Sequence, residues 1–215
     1  EEFALILDEA YKGGTSISSE GRQMLKQFFY KGLIQPAFSD DVSGLGDVCA
    51  QFNVYIANRP AFSDYSNLGC IKPLSAGEIH AIGLACGNGW RKVFNVYAKL
   101  LFALHAENIV SLQSSQSWQH FRDHVLLQDS SNTRLLFLAP QLDNVEDSNS
   151  NVIHIIMGKT YANSLNLPHS LTWLDHEFAI DTHNKLLVCP YFDYRQLSNI
   201  KIMRLVELIK QLRNA

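Results

Sequence analysis

The chain has 215 residues, of which 47% are hydrophobic and 18% charged, and its 18 basic and 21 acidic side chains give a net charge of −3. This composition excludes an intrinsically disordered chain and a collagen-like chain, and it disfavours a strongly basic nucleic-acid-binding protein. The longest apolar runs are too short to cross a bilayer, and no signal peptide is visible. We therefore expect a globular cytoplasmic protein that does not associate with membranes.

The first fifty residues are predicted to form a helical N-terminal extension. Ser19 and Glu20 are typical of a helix start, and apolar residues recur three and four positions apart after them. A turn-rich connector over residues 39–46 follows. Residues 1–50 carry four basic and eight acidic side chains, so the excess of acidic over basic residues lies mainly there.

Four later segments have helical patterns. Ser75 and Glu78 form a capping-box pattern before a short helix. A longer amphipathic helix begins at Trp90, after the Gly-bounded bend at residues 87–89, and Ser117–Leu127 predicts a third. Ser198 is the predicted N-cap of a final helix, where basic residues outnumber acidic ones.

Four near-continuous apolar runs predict strands, namely Phe52–Ala57, Thr133–Ala139, Val152–Met157 and Leu186–Cys189. Such runs are typical of parallel strands covered on both faces by helices. Residues 1–215 are therefore predicted to form a single α/β domain, a three-layer α/β/α sandwich with a mostly parallel four-stranded central sheet. His154, inside the third run, is interpreted as a core histidine whose hydrogen bonds are satisfied.

The segments that follow these strands contain the best candidates for a ligand site, because ligands of open α/β sheets bind outside the carboxyl ends of the strands. The four strand ends are Asn58-Arg59-Pro60, Pro140-Gln141, Gly158-Lys159-Thr160 and residues 190–195. Each has a structural alternative, since a turn or an ordinary βα loop would explain the same residues. Asn88 lies between two glycines, a pattern that fits either an anion-binding loop or a bend between helices, and we favour the bend. Trp90, two residues later, fits either the core or the wall of a pocket.

The sequence contains no motif for a bound cofactor. Asp175, His176, Glu177, Asp181 and His183 are metal-capable but match no standard spacing. Neither a Walker A motif nor a dinucleotide-binding glycine fingerprint occurs. We therefore expect neither a metal nor an organic cofactor.

The strand-end motifs over residues 52–213 resemble those of the uracil-DNA glycosylase superfamily. Val152–Ala162 is similar to the family's third strand, and Leu186–Ser198 lies where the family has a strand ending in His-Pro-Ser-Pro-Leu-Ser. Leu135–Gln141 lies where a strand delivers the base-reading Asn, and Val54–Phe62 where the family has Gly-x-Asp/Asn-Pro. The chain also resembles an uncharacterised bacterial protein family, which supplies no function.

The resemblance implies a uracil-DNA glycosylase-like fold and a nucleobase, nucleotide or DNA as partner. Phe62 or Tyr191 would stack on the base, and Arg195 would meet phosphates or, like Tyr194, stabilise the departing base anion. Asn58 or Asp64 would orient water. The candidate catalytic residues are Asn58 and Asp193, and the candidate substrate-binding residues are Arg59, Phe62, Asn88, Trp90, Gln141, Tyr191, Tyr194 and Arg195.

The chain departs from the family pattern at the residues that matter for catalysis. The family's His is absent from residues 191–193, Gln141 replaces the base-reading Asn, and Arg59 separates Asn58 from Pro60. Three hypotheses follow: hydrolysis of an N-glycosidic bond, a catalytically inactive member of this fold acting as a binding or interaction module, and a small-molecule hydrolase that uses Asp193 or Asp64.

Overall fold

A computed structural model describes residues 42–112, 115–142 and 152–214. Within these ranges the protein is α/β, with eight strands in one mixed sheet and five α-helices. The strands are β1 (Gly44–Gly46), β2 (Phe52–Tyr55), β3 (Ile71–Lys72), β4 (Thr133–Leu136), β5 (Ile153–Met157), β6 (Thr172–Trp173), β7 (Ala179–Asp181) and β8 (Leu186–Cys189). The helices are α1 (Glu78–Ala85), α2 (Asn88–Ala106), α3 (Trp118–His124), α4 (Lys159–Ser164) and α5 (Asn199–Asn214), with a 3-10 helix at Ser63–Asn67.

The strand order across the sheet is β3-β1-β4-β2-β5-β8-β7-β6. The four predicted strands are neighbours, and the pairs β4–β2, β2–β5 and β5–β8 are parallel. The prediction of a mostly parallel four-stranded sheet is nevertheless wrong, because β1 is antiparallel to β4 and the β7 strand is antiparallel to both β8 and β6. The additional strands have only two or three residues, too few to show a strand periodicity.

β1 lies in a segment that the sequence predicted as a turn-rich connector, whereas the helix predicted from Ser19 lies outside the described residues. Gly46 has φ +123°, and a Cβ there would lie 2.2 Å from the Thr133 carbonyl oxygen. Only glycine permits this backbone conformation and this close approach. The pairing of β1 with β4 therefore depends on residues that carry no hydrophobic strand signal.

The helix starts follow the predicted caps within a few residues. Glu78 accepts a hydrogen bond from the Ser75 amide at 2.6 Å, although α1 begins three residues later than Ser75. Ser117 accepts one from the His120 amide at 3.2 Å and caps α3. Within the described ranges, no helix combines the length and the apolar character that crossing a membrane requires.

The larger hydrophobic core lies between one face of the sheet and four helices, α1, α2, α3 and α5. Val54 of β2 points into this core and is fully buried, as is Tyr97 of α2. The Tyr97 hydroxyl donates to the Arg134 carbonyl at 3.0 Å and lies 3.3 Å from that of Phe52. This helix is thereby held against two adjacent strands by packing and by hydrogen bonds.

The opposite face of the sheet carries a smaller core. Tyr55, Leu136 and Ile156 form it together with Ala162 of α4, the helix of the described residues that packs there. Side chains alternate between the two faces along a strand. Asn53 therefore lies on this second face with Tyr55, whereas Val54 between them lies on the first. The two faces of β2 therefore differ, one apolar and one partly polar.

Candidate functional site

A pocket of about 550 Å³ lies where β2, β5 and β8 end, and we call it the strand-end pocket. The three strands are parallel neighbours, so their carboxyl ends meet at one edge of the sheet. Asn58 lines it after β2, Lys159 and Thr160 after β5, and Tyr191 and Gln196 after β8. Three of the four strand ends singled out in the sequence thus converge on one cavity of a size that holds small organic ligands.

Tyr191 and Asn58 are the two candidate residues that this pocket brings together. Tyr191 is half-buried, and the Asn58 side chain lies near enough to act on the pKa of its hydroxyl. Burial raises the pKa of Tyr191, although the nearby Asn58 side chain opposes the shift, so the phenol is protonated at neutral pH. An aromatic ring and an amide in one pocket can stack on a flat ligand and bind a polar group on its edge.

The turn at Gly158 brings the backbone against this aromatic ring. Gly158 has φ +96°, and its amide donates to the Cys189 carbonyl at 2.8 Å. A Cβ at this position would lie 3.8 Å from Cδ2 of Tyr191. Position 158 therefore favours glycine because of its left-handed backbone conformation, and not because a side chain would lack space.

Two charged residues of the pocket differ in how they are paired. The Glu177 carboxylate accepts a hydrogen bond from Nζ of Lys201 at 2.6 Å. Nζ of Lys159 donates to the His176 carbonyl at 3.2 Å and lies 4.7 Å from the Trp173 ring, and no carboxylate of the described residues forms an ion pair with it. Glu177 is thus neutralised within the protein, whereas the charge of Lys159 is available to an anionic ligand.

Asp193, Tyr194 and Arg195 do not line the strand-end pocket. Asp193 lies 2.6 Å from Nζ of Lys92 and accepts from the Arg195 amide at 3.0 Å. Burial opposes its ionisation, but the amide and Lys92 outweigh that effect and hold its pKa below the ordinary value. Tyr194 is 55% exposed and its ring lies 5.2 Å from Nζ of Lys92. The arrangement orders the loop before α5 and leaves an exposed tyrosine and arginine on the surface.

Arg59 and Phe62 shape the turn after β2. The Arg59 guanidinium lies 5.5 Å from the centre of the Phe137 ring and donates to the Leu68 carbonyl at 3.3 Å. Phe62 packs edge-on against Tyr65 and against the larger core. Both contacts favour the structural alternative for these two residues; the side chain of Asp64 lies outside what the structure describes.

The remaining candidates lie elsewhere in the fold. Asn88 is the exposed first residue of α2, and Trp90 is 9% exposed in the larger core, tilted against Phe94. Gln141 is exposed and lines a second pocket, on the face of the sheet that carries the smaller core. The structure therefore brings neither Asn88, Trp90 nor Gln141 to the strand-end pocket.

Several residues of the pocket were not among the sequence candidates, namely Lys159, Thr160, Tyr161, Ser164, His176, Glu177 and Gln196. Lys159 and Thr160 belong to a strand end that the sequence singled out, although neither residue was assigned a role. His176 and Glu177 were weighed only as metal ligands, and their approach to the pocket depends on the fold. In the part of the chain that the structure describes, no three His, Cys, Asp or Glu side chains form a metal-capable group.

Comparison with known proteins relates the chain to a family and to no individual relative. Neither the curated proteins nor the solved structures contain a significant match. One family model matches residues 43–210, a range that includes all eight strands and most of α5. By this match the chain belongs to DUF6942, a family of unknown function.

Proposed function

We propose that the strand-end pocket binds a nucleobase or a nucleotide. The observation that carries the proposal is the presence of the Tyr191 ring and the Asn58 amide in one cavity of about 550 Å³, at the ends of three parallel strands. The Tyr191 ring would stack on the base, and the Asn58 amide would bond to a polar group on its edge. Lys159 supplies a positive charge for a phosphate.

The resemblance of the strand-end motifs to uracil-DNA glycosylases supports the same class of ligand. In both cases the ligand would lie at the carboxyl ends of the strands, and an aromatic side chain would contact the base. The pairing of Glu177 with Lys201 and of Asp193 with Lys92 favours binding over catalysis, because each carboxylate already has a cationic partner.

Calorimetric titration with uracil, uridine and uridine 5′-monophosphate tests the proposal. Replacing Tyr191 with Ala should weaken nucleotide binding about fivefold or more, because stacking of a base on an aromatic side chain contributes about 1–3 kcal/mol. Tyr191→Phe keeps the ring and should retain most of the affinity. Tyr194→Ala, in the same loop but outside the pocket, is the matched control and should bind like the unaltered protein.

The proposal fails if none of the three compounds binds at millimolar concentration, or if the Tyr191→Ala and Tyr194→Ala variants bind equally well. Circular dichroism of each variant separates a lost contact from a lost fold. Uridine 5′-monophosphate should bind more tightly than uridine, and Lys159→Gln should remove that preference.

Hydrolysis of an N-glycosidic bond is a second candidate, favoured by the presence of Glu177 and Asn58 in one pocket. Asn58 would orient a water molecule and Glu177 would accept its proton during attack on the sugar carbon. Incubation with single- and double-stranded DNA containing uracil, followed by detection of abasic sites, tests this activity. Activity that survives Glu177→Gln would contradict the assigned role, and absence of cleavage together with nucleotide binding would leave a binding module.

A further inference from the structure

The second pocket, of about 160 Å³, lies on the face of the sheet with the smaller core, and we call it the sheet-face pocket. It shares no lining residue with the strand-end pocket. Asn53 of β2 is directly paired with Arg134 of β4 on one side and with His154 of β5 on the other. Adjacent strands lie about 4.8 Å apart, so the three side chains form one polar row across the sheet.

This row contains a partly buried cation that forms no ion pair with a described carboxylate, although the charge of Asp47 acts on it from a longer distance. One terminal nitrogen of Arg134 donates to the carbonyls of Val48 and Ala50, at 3.0 and 3.2 Å. Its Nε is buried without a hydrogen-bond partner among the described residues, and no described carboxylate forms an ion pair with it. Burial lowers the pKa of Arg134 more than Asp47 and its other neighbours raise it, so its charge is compensated only in part. An anion beside the unpartnered Nε would complete that compensation.

Asn53 provides a second unsatisfied group in the same pocket. Its side chain is 6% exposed, and its Oδ1 is buried without a partner in the described part of the chain. An amide oxygen accepts hydrogen bonds and donates none. The group that fills this position must therefore carry a hydrogen-bond donor.

His154 adds an uncharged group. Its Nδ1 lies 2.7 Å from the Tyr55 hydroxyl, and burial together with the positive charge of Arg134 lowers the pKa of His154 to about 4. Near neutral pH the only full charge among the row's side chains is therefore that of Arg134. One negative charge on a ligand is enough to compensate it.

We propose that the sheet-face pocket binds a small carboxylate that carries a neighbouring hydroxyl group, with Arg134 as counter-ion to the carboxylate and Asn53 as acceptor for the hydroxyl. The size of the pocket limits the ligand, because an engineered cavity of about 150 Å³ holds one benzene molecule, or roughly six non-hydrogen atoms. A short hydroxy acid fits both the volume and the polar groups, whereas a nucleotide does not fit the volume.

Glycolate, acetate and glycolamide are probes that separate these requirements. Glycolate has the charge and the donor, acetate lacks the donor, and glycolamide lacks the charge. With the full 215-residue chain at constant ionic strength, glycolate should raise the thermal unfolding midpoint in a saturable way. Acetate should bind at least fivefold more weakly, and glycolamide should give no saturable shift.

Two variants locate the site. Arg134→Gln removes the counter-ion and should abolish the glycolate effect; because this variant also alters strand contacts, Asn53→Asp provides a second test. An aspartate at position 53 supplies an internal anion for Arg134, so the variant should remain folded and lose glycolate binding at least tenfold. Lys99→Gln makes the same charge change as Arg134→Gln on α2 and should retain binding.

The proposal is overturned if glycolate gives no saturable shift, if glycolamide matches it, or if Asn53→Asp binds glycolate as well as the unaltered protein. Equal binding of acetate and glycolate would overturn the role of the Asn53 oxygen. Tyr191→Ala should leave the glycolate effect unchanged, which separates this site from the nucleotide site proposed above.

Discussion

The two faces of the central sheet are formed by the same strands but differ in polarity. On the helix-covered face, Val54 of β2 and its neighbours Leu135 and Ile155 are fully buried in an apolar core. One residue earlier, Asn53 lies in a polar row with Arg134 and His154. The comparison teaches that stability and recognition can be divided between alternate residues of one strand. Four helices stabilise one face, which leaves the other free to hold polar groups.

The largest effect on stability is expected when polar and apolar residues are exchanged at adjacent positions of β2. Val54→Asn should lower the free energy of unfolding by about 4 kcal/mol, because it removes apolar burial and places an unpaired amide in the core. Asn53→Val should change it by less than about 1 kcal/mol, because it removes a buried oxygen that already lacks a partner. Urea unfolding of both variants provides the measurement, and equal losses would contradict the proposed division between the two faces.

A smaller effect is expected from pH on the polar row. The pKa of His154 falls from 6.5 to about 4 in the folded protein, so the unfolded chain binds more protons between these values. Stability should therefore decrease as the pH falls from 7 to 5, by about 2 kcal/mol from this residue.

The His154→Gln variant should lose that part of the pH dependence. Comparing urea unfolding of the unaltered protein and the variant at pH 7 and pH 5 isolates the contribution, because other titrating groups are shared. Tyr55 and Arg134 are the titratable neighbours of His154 in this pocket, and both keep their protonation state over this range. An identical pH response in the two proteins would show that His154 is not held neutral by the fold.

The smallest effect is expected outside both pockets, at Asp193. Its ion pair with Lys92 is partly exposed, so Asp193→Asn should reduce stability by about 1 kcal/mol or less. Binding of uridine 5′-monophosphate should change less than twofold, because Asp193 does not line the strand-end pocket. Calorimetry on this variant tests the sequence-based candidate directly, and a large loss of affinity would return Asp193 to the binding site.

The sequence predicted the four central strands because each is a long apolar run buried on both faces. It did not predict β1, β3 and β6, since strands of two or three residues show no periodicity and are defined by their partners. The sequence of residues 175–183 also indicates an edge strand and a hairpin, and β7 lies within this segment. Its place between β8 and β6, however, depends on pairing that the sequence does not reveal.

The two pockets differ in the same way. The strand-end pocket lies at the carboxyl ends of parallel strands, where open α/β sheets bind ligands. Asn58 and Tyr191 could therefore be predicted from the sequence as site residues. The polar row could not be predicted in this way, because Asn53, Arg134 and His154 are single polar residues in three apolar strands. Only the register of those strands places them side by side. Of these three residues, only His154 was interpreted from the sequence, as a core histidine whose hydrogen bonds are satisfied. Its contact with Tyr55 agrees with that interpretation.

The position of β2 has a consequence for how the chain reaches this structure. Both neighbours of β2 come much later in the chain: the Gln51 amide bonds to Asn132, 81 residues away, and Tyr55 contacts His154, 99 residues away. Contacts of such long range form slowly because a large loop must close first. A growing chain that has not yet reached β4 has its first long strand without either neighbour. One of the two central strands of the sheet therefore gains both of its neighbours only after more than half of the chain is present.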